Sequence, residues 1–178
     1  MTDFTRQIGH PIRAMYVDSN NTLWIGSKGD GILKVYDYNS HKDILNCRIE
    51  SLTTSNSNLN DNSIYAFAAS KRNILWIGNE NGLNYYSYKQ QRINKIAVND
   101  NEIPIRYIHD IYEQDSILWI ATVGMGVVKA RIEGSNDNPI IHVLKRFTIN
   151  NEDMSSNYFF DIQVDNKVSL AFFILIVF

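Results

Sequence analysis

One short phrase recurs along the chain, and it limits the fold more than any other feature. It reads "NTLWIGSKGDGILKVYDY" at residues 21–38, "NILWIGNENGLNYYSY" at 73–88 and "SILWIATVGMGVVKA" at 116–130. Trp24, Trp76 and Trp119 mark the register, spaced 52 and 43 residues apart. Periods near 40–50 residues belong to propeller blades or helical arrays, so the local pattern must decide between them. Each copy is built of short apolar or alternating runs broken by Asn, Asp or Gly. No copy holds the 11-residue amphipathic stripe that a helix would show. Ile, Val, Tyr, Trp and Phe between turn clusters favour strands, and the 21 asparagines suit a chain made largely of turns.

The expected class is therefore all-β. A unit of three or four hairpin-connected strands leaves apolar faces that only neighbouring units can cover, which is the logic of a β-propeller. The repeated Trp is expected to pack between adjacent blades. A sugar-stacking role is the alternative, and it fits a position repeated in every blade less well. Gly31, Gly82 and Gly126 fall six or seven residues after their tryptophans, inside a tight hairpin where glycine supplies positive φ. "GDG" and "GMG" lack the Gly-Lys-Ser/Thr ending and following helix of a phosphate loop.

A second element also repeats. "SNLNDNSIYAF" (57–67) aligns with "EDMSSNYFFDI" (152–162), a polar connector into the first strand of a blade. The offset between them equals two blade lengths, so a fourth blade is expected near Tyr158. Its Trp position falls on Ala171.

At this level the residues resemble the two-component regulator propeller repeat. "IRAMYVDSNNTLWIGSKGDGILKVY" (12–36) is the closest copy, with "IYAFAASKRNILWIGNENGLNYY" (64–86) and "IHDIYEQDSILWIATVGMGVVK" (108–129) looser. The second copy carries Ser70 where the others have an acidic residue. The resemblance implies about three and a half four-stranded blades of a ring of about seven. It implies an extracytoplasmic, periplasmic sensor region of a Bacteroidetes hybrid two-component system. The implied ligand is a mono- or oligosaccharide, and the implied partners are further blades and a histidine kinase encoded in a longer protein. Two alternatives stay open: a propeller that serves as a non-signalling scaffold, and a truncated product with no function of its own.

Residues 1–167 read as the repeat region and 168–178, "VSLAFFILIVF", as an apolar tail that leaves the pattern. The tail is either the end of a shifted reading frame or a genuine terminal strand. It is too short for a membrane-spanning helix, which needs about 20 residues, and the N-terminus lacks the features of a secretory signal. An incomplete ring would expose unpaired edges, so self-association is expected.

The net charge of −2 and the lack of a basic cluster argue against nucleic acid. Cys47 is the lone cysteine, and His10, His41, His109 and His142 show no metal-ligand spacing, so neither a metal nor a cofactor is expected. Asp110 and Glu113 should point to opposite faces of one strand. No catalytic residues are assigned. Binding is expected on loops of the rigid scaffold: Lys28 and Asp30 in the first blade, Glu80 and Asn81 in the second, and Met125 in the third. Arg13, Tyr65 and His109 each follow the leading Ile of a blade and could face the central channel.

Overall fold

The computed structural model describes residues 8–39, 46–98, 104–151, 154–165 and 170–173. Apart from Asn46, which is in 3₁₀ conformation, every regular element among them is a strand. The first sheet runs β1 (Ile12–Val17), β2 (Leu23–Ser27), β3 (Ile32–Val35) and β4 (Ile49–Leu52) in simple order. The second repeats this with β5 (Ile64–Ser70), β6 (Ile74–Asn79), β7 (Gly82–Ser87) and β8 (Arg92–Lys95). The third contains β9 (Ala97–Val98), β10 (Ile108–Gln114), β11 (Ile117–Thr122), β12 (Val127–Ser135) and β13 (Asn138–Phe147). A fourth begins with β14 (Asp161–Val164) and β15 (Leu170–Phe173).

These sheets form a partial propeller of about three and a half blades, with one departure from four strands each. In the third sheet β9 pairs parallel to β13, Ala97 beside Ile140 and Val98 beside Ile141. The chain leaving the second blade thus covers the outer edge of the third, where unpaired backbone groups would otherwise stand.

Both faces of the middle strands are buried, and the cores lie between sheets. Trp24 and Ile32 of the first sheet meet Ile64, Leu75, Ile77 and Tyr86 of the second. Trp76 and Leu83 of the second meet Ile108, Ile111 and Leu118 of the third. Ala121 and Val127 of the third meet Phe159 and Ile162 of the fourth, with Trp119 packed against them. Trp24 and Trp76 are fully buried, whereas Trp119 is only partly so, lying against Phe147 and Phe172. The recurring indoles therefore fill the gaps between blades.

The last residue of the "LWIG" phrase explains how the gaps stay narrow. A Cβ added at Gly26 would come within 2.7 Å of the Ile64 Cγ2, and one at Gly78 within 2.6 Å of the Ile108 Cγ2. The leading Ile of each blade seats its methyl group on the bare backbone of the blade before. In the third blade Ala121 holds this position and the bulkier Phe159 faces it.

The acidic residue of the repeat holds the Trp. Asp18 accepts from the Trp24 indole Nε1 at 2.9 Å and from the backbone N–H groups of Asn20 and Thr22. Where Ser70 replaces it, the Trp76 Nε1 instead donates across the gap to Glu113 Oε2 at 2.6 Å. That contact sets Glu113 toward the second blade. Asp110 accepts from the Ile162 N–H of the fourth, so the two carboxylates do face opposite sides of β10.

In the fourth sheet Ala171 pairs with Gln163, matching the pairing of Trp76 with Ala68. Leu170–Phe173 of the apolar tail thus lie where "LWIG" lies in the other blades. His41, residues 166–169 and residues 174–178 lie outside the described residues.

Candidate functional site at the axial mouth

β1, β5, β10 and β14 lie against one another as the inner strands of their sheets, and the first three carry a bulge at the same place. Pairing skips one residue between Ile12 and Ala14, between Ile64 and Ala66, and between Ile108 and Asp110. The skipped residues are Arg13, Tyr65 and His109. A bulge leaves one residue unpaired and re-aims its side chain, so three blades each free one side chain at the same place in the strand.

Two of these touch directly. The Tyr65 and His109 rings are stacked with centroids 4.4 Å apart and planes 15° from parallel. His109 in turn meets Phe160 edge-on at 5.0 Å. The Tyr65 hydroxyl donates to Glu80 Oε2 at 3.4 Å. Burial, helped by the nearby Arg13 cation, holds the His109 imidazole below its ordinary pKa. Burial first, and then the Glu80 carboxylate, raises the Tyr65 phenol. Arg13, Tyr65, Glu80 and His109 therefore form one electrostatic group.

The hairpins after β2, β6 and β11 frame this group. Each is tied to its own connector, Lys28 N–H to the Pro11 carbonyl, Glu80 N–H to Ser63 and Val123 N–H to Tyr107. Each also reaches the next blade: Gly29 and Gly31 donate to the Asn62 carbonyl, and Gly124 and Gly126 to Asn157. The three hairpin glycines all have positive φ, 75° at Gly31, 135° at Gly82 and 77° at Gly126.

The other expected rim residues do different things. Asp30 fastens the connector: it accepts from the Gly9 and His10 N–H groups at 2.8 Å and meets His10 Nδ1 at 2.9 Å. Asn81 donates to Asp61 Oδ2 at 2.6 Å, fastening the hairpin to its connector. The Lys28 side chain is exposed and Met125 is half-buried. His142 pairs with Glu133 at 3.0 Å, on the outer part of the third blade.

Three aromatic residues were not among the candidates from the sequence. Phe160 occupies in the fourth blade the place of Tyr65 and His109, and the connector alignment already located it. Tyr107 and Tyr158 each directly precede the leading apolar residue of their blades, and they are 42% and 56% exposed. Tyr107 also holds φ at +52°, a backbone region that bulky residues adopt rarely and often beside functional sites. Its N–H donates to the Glu80 carbonyl, so the strain is anchored between two blades.

Chemically the mouth offers flat ring faces beside a carboxylate, a guanidinium and phenol hydroxyls. Among the described residues no group of three or more metal-ligating side chains comes together, and no helix is long and apolar enough to cross a membrane.

Stacked antiparallel blades with bulged inner strands and laced rim hairpins define a partial β-propeller. The family described as two component regulator propeller matches residues 7–29 and 58–81, the connector and first hairpin of the first two blades. Those two stretches are similar to repeats of that family. The third copy lies outside the matched residues yet builds the same hairpin. No curated protein matches the chain.

Among solved structures, the chain is similar to the extracellular domain of a hybrid two-component system of B. thetaiotaomicron, with 18% identity and a TM-score of 0.73. That likeness covers 92% of this chain and 22% of the other. It is also similar to a second such domain from the same organism, at 22% identity and TM-score 0.64 over 92% of this chain and 20% of that one. PorZ, a surface component of the type-IX secretion system of Porphyromonas gingivalis, matches at 16% identity and TM-score 0.68, over 92% and 25%. The chain thus spans about a fifth to a quarter of the length of these structures.

Proposed function

We propose that this chain is a propeller segment of an extracytoplasmic sensor in a two-component system. Its axial mouth binds a mono- or oligosaccharide and the bound state alters a histidine kinase carried by the longer protein, which places the segment in the periplasm. In that arrangement further blades cover Met15 and Val17, 67% and 42% exposed on the face of the first blade turned away from the second. The observation that carries the reading is the row of rings at two repeat positions: Tyr65, His109 and Phe160 at the bulge, with Tyr107 and Tyr158 beside the leading residues. Flat rings next to planar polar groups suit the apolar faces and hydroxyls of sugars.

Calorimetric titration of the chain with xylo-, arabino- and malto-oligosaccharides tests this. At least one series should bind, and Tyr65→Ala or His109→Ala should weaken it at least tenfold. Binding of none, or binding indifferent to both substitutions, would favour the second reading, a surface scaffold. The likeness to PorZ supports that alternative.

A further inference from the structure

The second residue after the leading apolar residue sets the joint between the third and fourth blades apart. It is Ala14 in the first blade and Ala66 in the second, but Asp110 in the third and Asp161 in the fourth. All four stand at one place in the strand register: Ala14 opposite Gly26, Ala66 opposite Gly78, Asp110 opposite Ala121 and Asp161 opposite Phe173. Two alanines stack well there, so stacking does not require an acid. Asp110 and Asp161 nevertheless bring a carboxyl to both sides of one gap.

Asp110 reaches the fourth blade directly. Its Oδ2 accepts from the Ile162 N–H at 2.7 Å, and its Oδ1 accepts from the Ile111 N–H at 2.8 Å. The same carboxyl is a hydrogen-bond neighbour of the Asp161 side chain. Two carboxyls in contact at a largely buried place repel when both are charged, so one proton between them is favoured. Gln163 Nε2 already donates to Asp161 Oδ2 at 2.9 Å, so the proton belongs with Asp110. Burial first, reinforced by Asp161, raises Asp110 to about 6.

The surroundings leave this pair to itself. Of the elements packed against β10, β14 brings Asp161, β11 the uncharged Ala121, and β6 the uncharged Trp76 and Gly78. β5 brings Tyr65, on the side of His109, with Glu80 and Arg13 beyond it. On β10 itself, Glu113 is turned to the second blade by Trp76, and Tyr112 packs toward the fourth. Farther out, Lys129 and Lys145 lie over the rings of Trp119 and Phe147, at 5.0 and 4.9 Å.

The chain itself joins the two acids to the axial mouth. His109 directly precedes Asp110, Phe160 directly precedes Asp161, and those two rings meet edge-on at 5.0 Å. A change at the acid pair therefore acts on the two residues that carry the ring contact.

We propose that Asp110 and Asp161 form a proton-operated latch between the third and fourth blades, which sets the contact of His109 with Phe160. With the proton in place the Asp110 carboxyl donates to the Asp161 carboxylate, and the latch is shut. As pH rises through 6 the proton passes to water, both groups are charged, and Asp161 turns away. The Ile162 N–H keeps its bond to Asp110, which strengthens on ionisation. The blades thus stay attached, and the change is confined to Asp161 and the neighbouring Phe160. The latch does not rest on the mouth binding a sugar.

The test is a pH titration of the ¹³C,¹⁵N-labelled 178-residue chain, following the Ile162 amide and Phe160 ring signals. Both should shift with a common midpoint near 6. Asp161→Asn removes the neighbouring charge and should lower the Ile162 midpoint by about one pH unit. Asp110→Asn keeps a donor toward Asp161 and should abolish the step in both signals. Should that variant fail to fold, Asp110→Ala, which copies the first two blades, takes its place. His109→Gln should leave the step intact, which separates the latch from titration of the imidazole. Three results would overturn the proposal: signals of Ile162 and Phe160 that stay level through pH 6, an Ile162 midpoint unmoved by Asp161→Asn, or a Phe160 step that vanishes with His109→Gln.

Discussion

The imidazole of His109 lies flat against the phenol of Tyr65, 4.4 Å between centroids, although 44 residues separate them in the chain. Each is the unpaired residue of a bulge in its own blade. Burial and then Arg13 lower the His109 pKa, so the folded chain prefers the neutral ring. Above the ordinary value of about 6.5 both folded and unfolded rings are neutral and pH has no effect through this group. Below it the unfolded chain takes up the proton first, and stability falls until the folded ring protonates. A ¹³C-detected histidine titration should place His109 below 6.5, and Arg13→Gln should raise it.

Asp110 gives the opposite slope. Burial, reinforced by the neighbouring Asp161 carboxyl, raises its pKa to about 6 despite two backbone N–H groups that favour the charged form. A carboxyl whose folded pKa is raised contributes stability below its unfolded value of 3.8 and loses it as pH rises through 6. Asn mimics the neutral carboxyl, so urea midpoints of the parent chain and of Asp110→Asn should lie together below about pH 4 and separate as pH rises through 6, with the variant favoured at neutral pH. Parallel curves would mean that Asp110 ionises normally.

The three tryptophans should not be equal. Trp76→Ala removes a fully buried ring and should cost about 3–5 kcal/mol. Trp119, partly exposed, should cost less. Glu113→Ala leaves the Trp76 indole N–H without its acceptor across the gap and should cost about 1–3 kcal/mol. Glu113→Gln, which keeps an acceptor, should be milder. Chemical denaturation followed by tryptophan fluorescence measures all four.

Much of this architecture was legible because one period runs through the chain. The spacing of Trp24, Trp76 and Trp119 sets blade boundaries, and the connector alignment places Phe159 and Ala171 correctly two blades beyond Ile64 and Trp76. Arg13, Tyr65 and His109 share one place in the sequence, directly after the leading Ile, and the structure puts all three at bulges. What escaped was whatever depends on the neighbouring blade. Asp30 looks like a free rim carboxylate until the connector folds over it. Gly26 looks like a strand glycine until Ile64 is seen to occupy the space above it. The fifth strand, β9, has no alternating pattern of its own, because two residues paired at an outer edge leave no periodic trace.

Among the hairpin glycines, Gly126 and Gly124 separate conformation from crowding. Both have positive φ, but a Cβ at Gly126 would land on the Phe147 carbonyl oxygen whereas one at Gly124 would meet open space. Gly124→Ala should cost about 1 kcal/mol, the strain of the backbone alone. Gly126→Ala should cost clearly more, read as a lower thermal midpoint.

That each sheet is stabilised by the leading residue of the next is tested most directly by a double-mutant cycle on Gly78 and Ile108. Gly78→Ala places a methyl group 2.6 Å from the Ile108 Cγ2 and should cost about 1–3 kcal/mol. With Ile108→Ala already present, the nearest remaining atom is 3.0 Å away, and the double variant should lose less than the sum by about 1 kcal/mol or more. Losses that simply add, within about 0.5 kcal/mol, would show that the two blades do not interlock there.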